Sequence, residues 1–316
     1  MNILKIIFGV LNTLIIKGYW YNNIKFQDCR KFWGYKTFNT DVVNLGSTSA
    51  VCAFDYDGIP LKCANWALSI NPLLGDMAIL KNYFSYLKEG ATIIIPLCPF
   101  SSLAGSYSIT EDRYYSLLYP SSIPSYSLRR HNQIKSEMYS PIYFYSLFNF
   151  LTDIKYLVRG KKNVLMNEDE MNEDAERRMD GWMREFSIIS FSNPLSLVNQ
   201  DSITEAAKIL NDIVRFCHER LLNPCILLPP VYHTLGDYFT SDVKKKVIDS
   251  LVNKIEDKTV WYHNYMNDPE FSKRNDLFQN SFLLNKKGAE IFTKKVLNDI
   301  GMQTMAHNTK VDVLEA

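Results

Sequence analysis

ATIIIPL, at residues 91–97, is an unbroken apolar run. A strand with one wet face alternates apolar and polar residues. A continuous run is the mark of a strand covered on both faces, as in a parallel sheet with helices above and below. CILLPP at 225–230 has the same character, and DVVNLG at 41–46 reads as a third short buried strand entering a glycine turn. Helical spacing fills the gaps. Met77, Leu80, Tyr83, Phe84 and Leu87 recur on one face of 75–90, with Gly90 as the stop. Ser202 and Glu205 have capping-box spacing ahead of AAKILNDIVRFCHERLL. A helix near 240–255 leads to a strand candidate at 259–265, and a last helix starts near Asn285. Strands alternating with helices predict an α/β chain, a three-layer α/β/α domain on a mostly parallel, doubly wound sheet.

The expected domain spans 41–300, with a C-terminal tail at 301–316 and no internal repeat. Residues 98–139, rich in Ser, Tyr and Pro, should be irregular with short helices, and 143–158 reads as an aromatic helix of a core or a partner surface. The only strongly polar stretch, 159–180, carries Met-Asn-Glu-Asp twice and reads as a solvated, mobile insertion. No histidine or turn glycine completes a calcium loop there.

Residues 1–40 form a basic, apolar N-terminal extension. Lys5, Lys17, Lys25, Arg30, Lys31 and Lys36 stand against a lone Asp28. Its uncharged run, 6–16, would reach about 17 Å as a helix, against about 30 Å of bilayer hydrocarbon. No small-x-small cleavage site follows it. The expectation is a cytoplasmic chain without a spanning helix or signal peptide. The extension either packs as a first helix or lies on an anionic membrane surface. Lys and Arg total 35 and Asp and Glu 34, which gives no electrostatic case for nucleic acid. Six cysteines without Cys-x-x-Cys spacing read as reduced core thiols, and no metal, nucleotide or other cofactor motif stands out.

In an open parallel sheet, ligands bind beyond the carboxyl ends of the strands. The segments bound for that edge are 46–49, 65–71, 98–105 and 229–235, with the loop near 278–285. VVNLGSTSA at 42–50 resembles the first block of the SGNH (GDSL-type) hydrolases, and FQNSFLLNKKGAEIFT at 278–293 resembles their last block, Asp-x-x-His-Leu-Asn-x-x-Gly. ANWALS at 64–69 and IIIPLCPFS at 94–102 are similar to the middle of that family. The likeness is strongest to SGNH-like proteins encoded with bacterial surface-polysaccharide genes. It implies ester hydrolysis or acyl transfer on an acylated carbohydrate or small molecule.

Residue by residue, Gly46 matches the first block and Ser47 takes the place of its Asp or first Ser. Thr48 falls where the nucleophilic Ser belongs. Asn65 and Ala67 approximate an Asn-x-Gly oxyanion segment. In the last block Asn280 replaces the acid and Leu283 the base, while Leu284, Asn285 and Gly288 match. A neutral hydroxyl attacks poorly unless a base takes its proton. Leucine cannot do so, and asparagine cannot steady an imidazolium. Two expectations follow. Either Ser47 or Thr48 acts with a substitute base, His233, and oxyanion donors from Asn65 and the N–H groups after Gly46. Or the chain is a pseudoenzyme that keeps a pocket and binds without reacting.

Overall fold

The computed structural model describes residues 3–107, 109, 112–123, 126–159 and 165–302. Its main elements in chain order are α1 (Ile3–Lys17), β1 (Thr40–Asn44), α2 (Thr48–Ala53), β2 (Cys63–Asn65), α3 (Leu73–Tyr83), β3 (Leu87–Pro96), α4 (Leu128–Tyr139), α5 (Leu147–Arg159), α6 (Glu168–Glu185), α7 (Leu197–His218), β4 (Asn223–Leu228), β5 (Trp261–Asn264) and α8 (Lys286–Asp299). Short helical turns join them.

They sort into two compact units. Unit 1 comprises residues 1–36 and 109–163, and unit 2 comprises 37–108 and 164–316. The N-terminal extension therefore does not stand alone. It clusters with a segment the sequence had assigned to the α/β domain. The outer part of the expected tail, 303–316, lies outside the described residues, as do 160–164 of the polar stretch.

Unit 2 is the expected α/β/α fold. Among the described residues its five strands are all parallel, in the order β2-β1-β3-β4-β5. The apolar runs behave as their lack of alternation predicts: Ala91–Pro96 of β3 and Pro224–Leu228 of β4 are buried throughout. The edge strands β2 and β5 are partly exposed. On one face Val42, Ile94 and Leu227 pack with Phe54, Phe278, Phe292 and Val296, most of them fully excluded from water. Each such side chain contributes about 1.5–3 kcal/mol relative to exposure. Helices α3 and α7 pack together in another layer.

Three local expectations are corrected. The helix assigned to 75–90 ends at Tyr83, and Gly90 sits inside β3, where its N–H donates to the Leu221 carbonyl (2.8 Å). Ser202 caps nothing. Helix α7 begins earlier, at Leu197, capped by Ser196, and the buried Ser202 hydroxyl donates to the Leu103 carbonyl (2.9 Å). The helix expected near 240–255 is present as one continuous helical run, 241–252, with a wider turn at Lys245–Asp249. From Glu168 onward, the stretch expected to be a mobile insertion forms α6. Its capping box pairs the Asn167 side chain with the Glu170 N–H, and the Glu170 carboxylate with the Asn167 N–H. Met171, Asp174, Ala175 and Met179 recur every three to four residues and are buried.

Unit 1 is helical. Ring contacts join Tyr21, Phe26 and Trp33, and Lys25 pairs with Glu137 of α4.

Candidate functional site

At the carboxyl edge of the sheet, β1 ends in Asn44-Leu45-Gly46 and the chain turns into α2. Gly46 adopts φ +113°, where a side chain is strained, and a Cβ there would come 2.7 Å from the Ala50 Cβ. The turn puts Ser47 at the N-cap of α2 and Thr48 at its first position. Both hydroxyls line a cavity of about 220 Å³. Asn71 and Asp76 line it from the segment after β2, and Cys98, Phe100 and Ser101 from the segment after β3. Trp182, Glu185, Phe186 and Phe282 form the opposite wall.

The polar side is densely bonded. Ser47 Oγ accepts from the Asn71 N–H (3.2 Å), and Thr48 Oγ1 accepts from the Ile70 N–H (3.0 Å). Asp76 Oδ1 accepts from the Gly46 N–H (2.8 Å) and from Asn71 Nδ2 (2.6 Å), so one carboxyl oxygen ties the β1 turn to the 70–72 loop. Burial pushes the Asp76 pKa up to about 7, against the pull of those two neutral donors. Behind this layer the Ser49 hydroxyl and the Cys98 thiol lie 3.1 Å apart. Burial raises the Cys98 pKa, although hydrogen bonding to Ser49 pulls it down, so the group is held as a thiol rather than a nucleophilic thiolate.

The other wall is aromatic. Phe100 meets Trp182 at 4.9 Å and stacks on Phe186 at 5.7 Å, and Phe282 meets Trp182 edge-on at 5.2 Å. Tyr107 donates its hydroxyl to Glu185 Oε1 (2.8 Å); burial and that carboxylate raise its pKa to about 12.

Only part of the expected constellation assembles. Ser47 and Thr48 line the cavity; His233, Asn65, Asn280 and Leu283 do not. The Asn65 amide is used inside the fold. Its Nδ2 donates to the carbonyls of Ala50, Val51 and Phe54, and its Oδ1 accepts from Asn44 Nδ2. It anchors the end of α2 and has no donor left for an oxyanion. Asn280 is a turn former, its Oδ1 accepting from the N–H groups of Phe282 and Leu283. Leu283 carries no group that accepts a proton, and its carbonyl accepts from the Gln279 N–H. His233 begins a short helical turn after β4, where Nε2 lies 3.0 Å from Glu168 Oε1 and Nδ1 lies 3.8 Å from Asp237 Oδ2. Among the described residues lining the cavity there is no histidine.

The sequence reading missed Asp76, Asn71 and the α6 aromatics. Asp76 had a usable signal: a lone acid among Leu73, Met77, Ile79 and Leu80 in a helix bound for burial. Trp182 and Phe186 were hidden by the polar character of the segment before them. The loop after Leu277 is tied to the same helix: Ser281 donates its hydroxyl to the buried Asp174 of α6 (2.7 Å), and Phe282 meets Trp182. Arg177 and Arg178 also hold that carboxylate.

No helix among the described residues is long and apolar enough to cross a membrane, and no group of His, Cys, Asp and Glu among them could hold a metal ion. No family profile, curated protein or solved structure matches this chain.

Proposed function

We propose that the unit 2 cavity binds one sugar-sized, acyl-bearing group of a carbohydrate and holds it without hydrolysing it. The observation that carries this reading is the pairing of Ser47 and Thr48 with backbone N–H donors in a cavity that no imidazole among the described residues lines. A hydroxyl in that setting accepts and donates hydrogen bonds but lacks the base that would make it attack. The cavity is smaller than the roughly 300–1,000 Å³ usual for drug-sized ligands, which fits a single ring. The lining offers polar partners from Ser47, Thr48 and Asn71 together with the aromatic rings of Trp182 and Phe282. That is the combination a sugar ring with polar edges and apolar faces requires. The resemblance of 42–50 and 278–293 to SGNH-like proteins of bacterial surface-polysaccharide synthesis supports the ligand class.

A hydrolytic reading has one observation in its favour. Asp76 lines the same cavity with a pKa near neutrality, the range that suits a general base. Its hydrogen bonds nevertheless go to Gly46 and Asn71, which makes it a positioning residue.

Titration of the purified protein with acetylated and unacetylated monosaccharides, followed by tryptophan fluorescence and calorimetry, tests the proposal. Saturable binding of the acetylated sugars, lost in Trp182→Ala and weakened in Thr48→Val, is the expected result. Labelling of Ser47 or Thr48 by a fluorophosphonate, abolished by Asp76→Asn, would replace binding with hydrolysis.

A further inference from the structure

The helices α1 and α5 of unit 1 are turned the opposite way from a helix on a water-facing surface. In α1, Ile3, Ile7, Val10 and Leu14 follow i, i+4, i+7, i+11 spacing and form one strip, yet each is at least half exposed. In α5, Leu147, Leu151, Ile154 and Val158 repeat that spacing, and Leu147 and Val158 exceed 70% exposure. One uncharged and one acidic side chain, Asn12 and Asp153, point the other way. Asn12 of α1 donates to the Tyr139 carbonyl (2.8 Å) and accepts from the Ile142 N–H (3.3 Å). Asp153 of α5 accepts from the Trp20 N–H (2.6 Å) and the Tyr145 hydroxyl (2.5 Å). The two helices share a groove of about 770 Å³ lined by Leu11 and Leu14 on one side and by Phe150, Ile154 and Leu157 on the other. An exposed apolar surface of this extent marks an interaction site.

We infer that this face of unit 1 docks on an anionic lipid bilayer, lying in the interface without crossing it. Charge selects that occupant. Unit 1 holds fourteen Lys and Arg against five Asp and Glu, a net of +9 in a chain whose total is +1. Lys5, Lys17, Arg30, Lys36, Arg129 and Lys155 are exposed cations of this unit. Tyr139 and Tyr143, 69% and 74% exposed, add rings of the amphipathic kind that settle at headgroup level. A second copy of the same face would bring +9 against +9, a repulsive encounter. Length excludes a spanning mode for either helix: 15 and 13 residues rise about 22 and 20 Å, against about 30 Å of hydrocarbon. Apolar helical strips accompanied by lysines are the composition of interfacial helices. This inference is independent of what the unit 2 cavity binds.

Flotation of the full chain with phosphatidylcholine vesicles, with and without phosphatidylglycerol, tests it. The protein should float with the anionic vesicles, and rising salt should release it. Val10→Glu and Leu151→Glu, both at exposed positions, should each reduce partitioning by about tenfold or more while circular dichroism stays unchanged. Lys5→Glu with Lys17→Glu leaves the apolar strip intact and should reduce partitioning by about fivefold or more. Absence of flotation, or flotation that none of these variants changes, would overturn the inference. So would a lipid-free dimer that Val10→Glu dissolves without altering vesicle binding; the face would then belong to a second copy.

Discussion

The two units treat their apolar residues in opposite ways. In unit 2 the large side chains converge on the sheet, and Phe271, Phe278 and Phe292 have no exposed surface. In unit 1 two helices carry equally apolar strips, and those strips face outward. Charge divides along the same line: unit 1 is at +9, and unit 2, with twenty-one basic and twenty-nine acidic residues, is at −8. A near-neutral total therefore conceals two strongly charged bodies. The amount of apolar sequence does not set a region's role. What matters is whether the fold has placed a partner opposite it.

The sharpest way to break this comparison is to truncate matched residues. Phe292→Ala should destabilise unit 2 by about 3–5 kcal/mol, since a buried ring leaves a cavity. Leu157→Ala, at 87% exposure, should stay within about 0.5 kcal/mol. Urea unfolding with probes in each unit measures both, and a large loss from Leu157→Ala would mean its strip is already covered.

Next in size is the link between α6 and the loop after Leu277. Asp174 is buried, and Ser281, Arg178 and Arg177 hold its pKa below the usual carboxylate range in spite of burial. Asp174→Ala strands those donors and should cost about 3 kcal/mol. Because the folded pKa is depressed, this contribution is present above the unfolded value near 3.9 and is lost as pH falls through the folded one. A denaturation series in acid, with and without the substitution, reads the difference.

Asp76 should behave in the opposite sense. Its pKa is raised from 3.8 to about 7, so the folded state binds the extra proton. Stability should be highest below about pH 4 as far as this group is concerned and decline as pH rises toward 7. Both of its hydrogen bonds fall on Oδ1, which Asn retains. Asp76→Asn should therefore flatten that decline and raise stability by about 1–3 kcal/mol at pH 8. A steeper decline in the variant would show the carboxylate to be stabilising when charged. At the candidate site the smallest expected effect is that of Leu283→His, about 1 kcal/mol or less in thermal unfolding, because position 283 is only half-buried and does not line the cavity.

The sheet was legible because continuous apolar runs such as 91–97 leave few alternatives for a strand. The glycine turn and its two hydroxyls were legible for a related reason: a buried strand entering Gly46 must deliver the next residues to the ligand edge. The aromatic wall was not. Trp182 sits far along a segment opened by clustered acids, and composition there masked the three-to-four spacing of Met171, Ala175 and Met179. His233 was misjudged because loop proximity along the sequence gives an edge but not a distance. Two strands apart in the sheet order, the loops after β1 and β4 present side chains to different neighbours. The orientation of α1 and α5 was equally hidden, since a pattern shows that a strip exists but not which way it faces.

Hydrogen–deuterium exchange on the full chain bears most directly on the division of labour between the units. Anionic vesicles should protect 3–17 and 147–159 and leave 70–76 and 182–186 unchanged, whereas an acetylated monosaccharide should protect only the latter pair. A single footprint shared by both additions, or protection by the sugar on α1 and α5, would contradict the account.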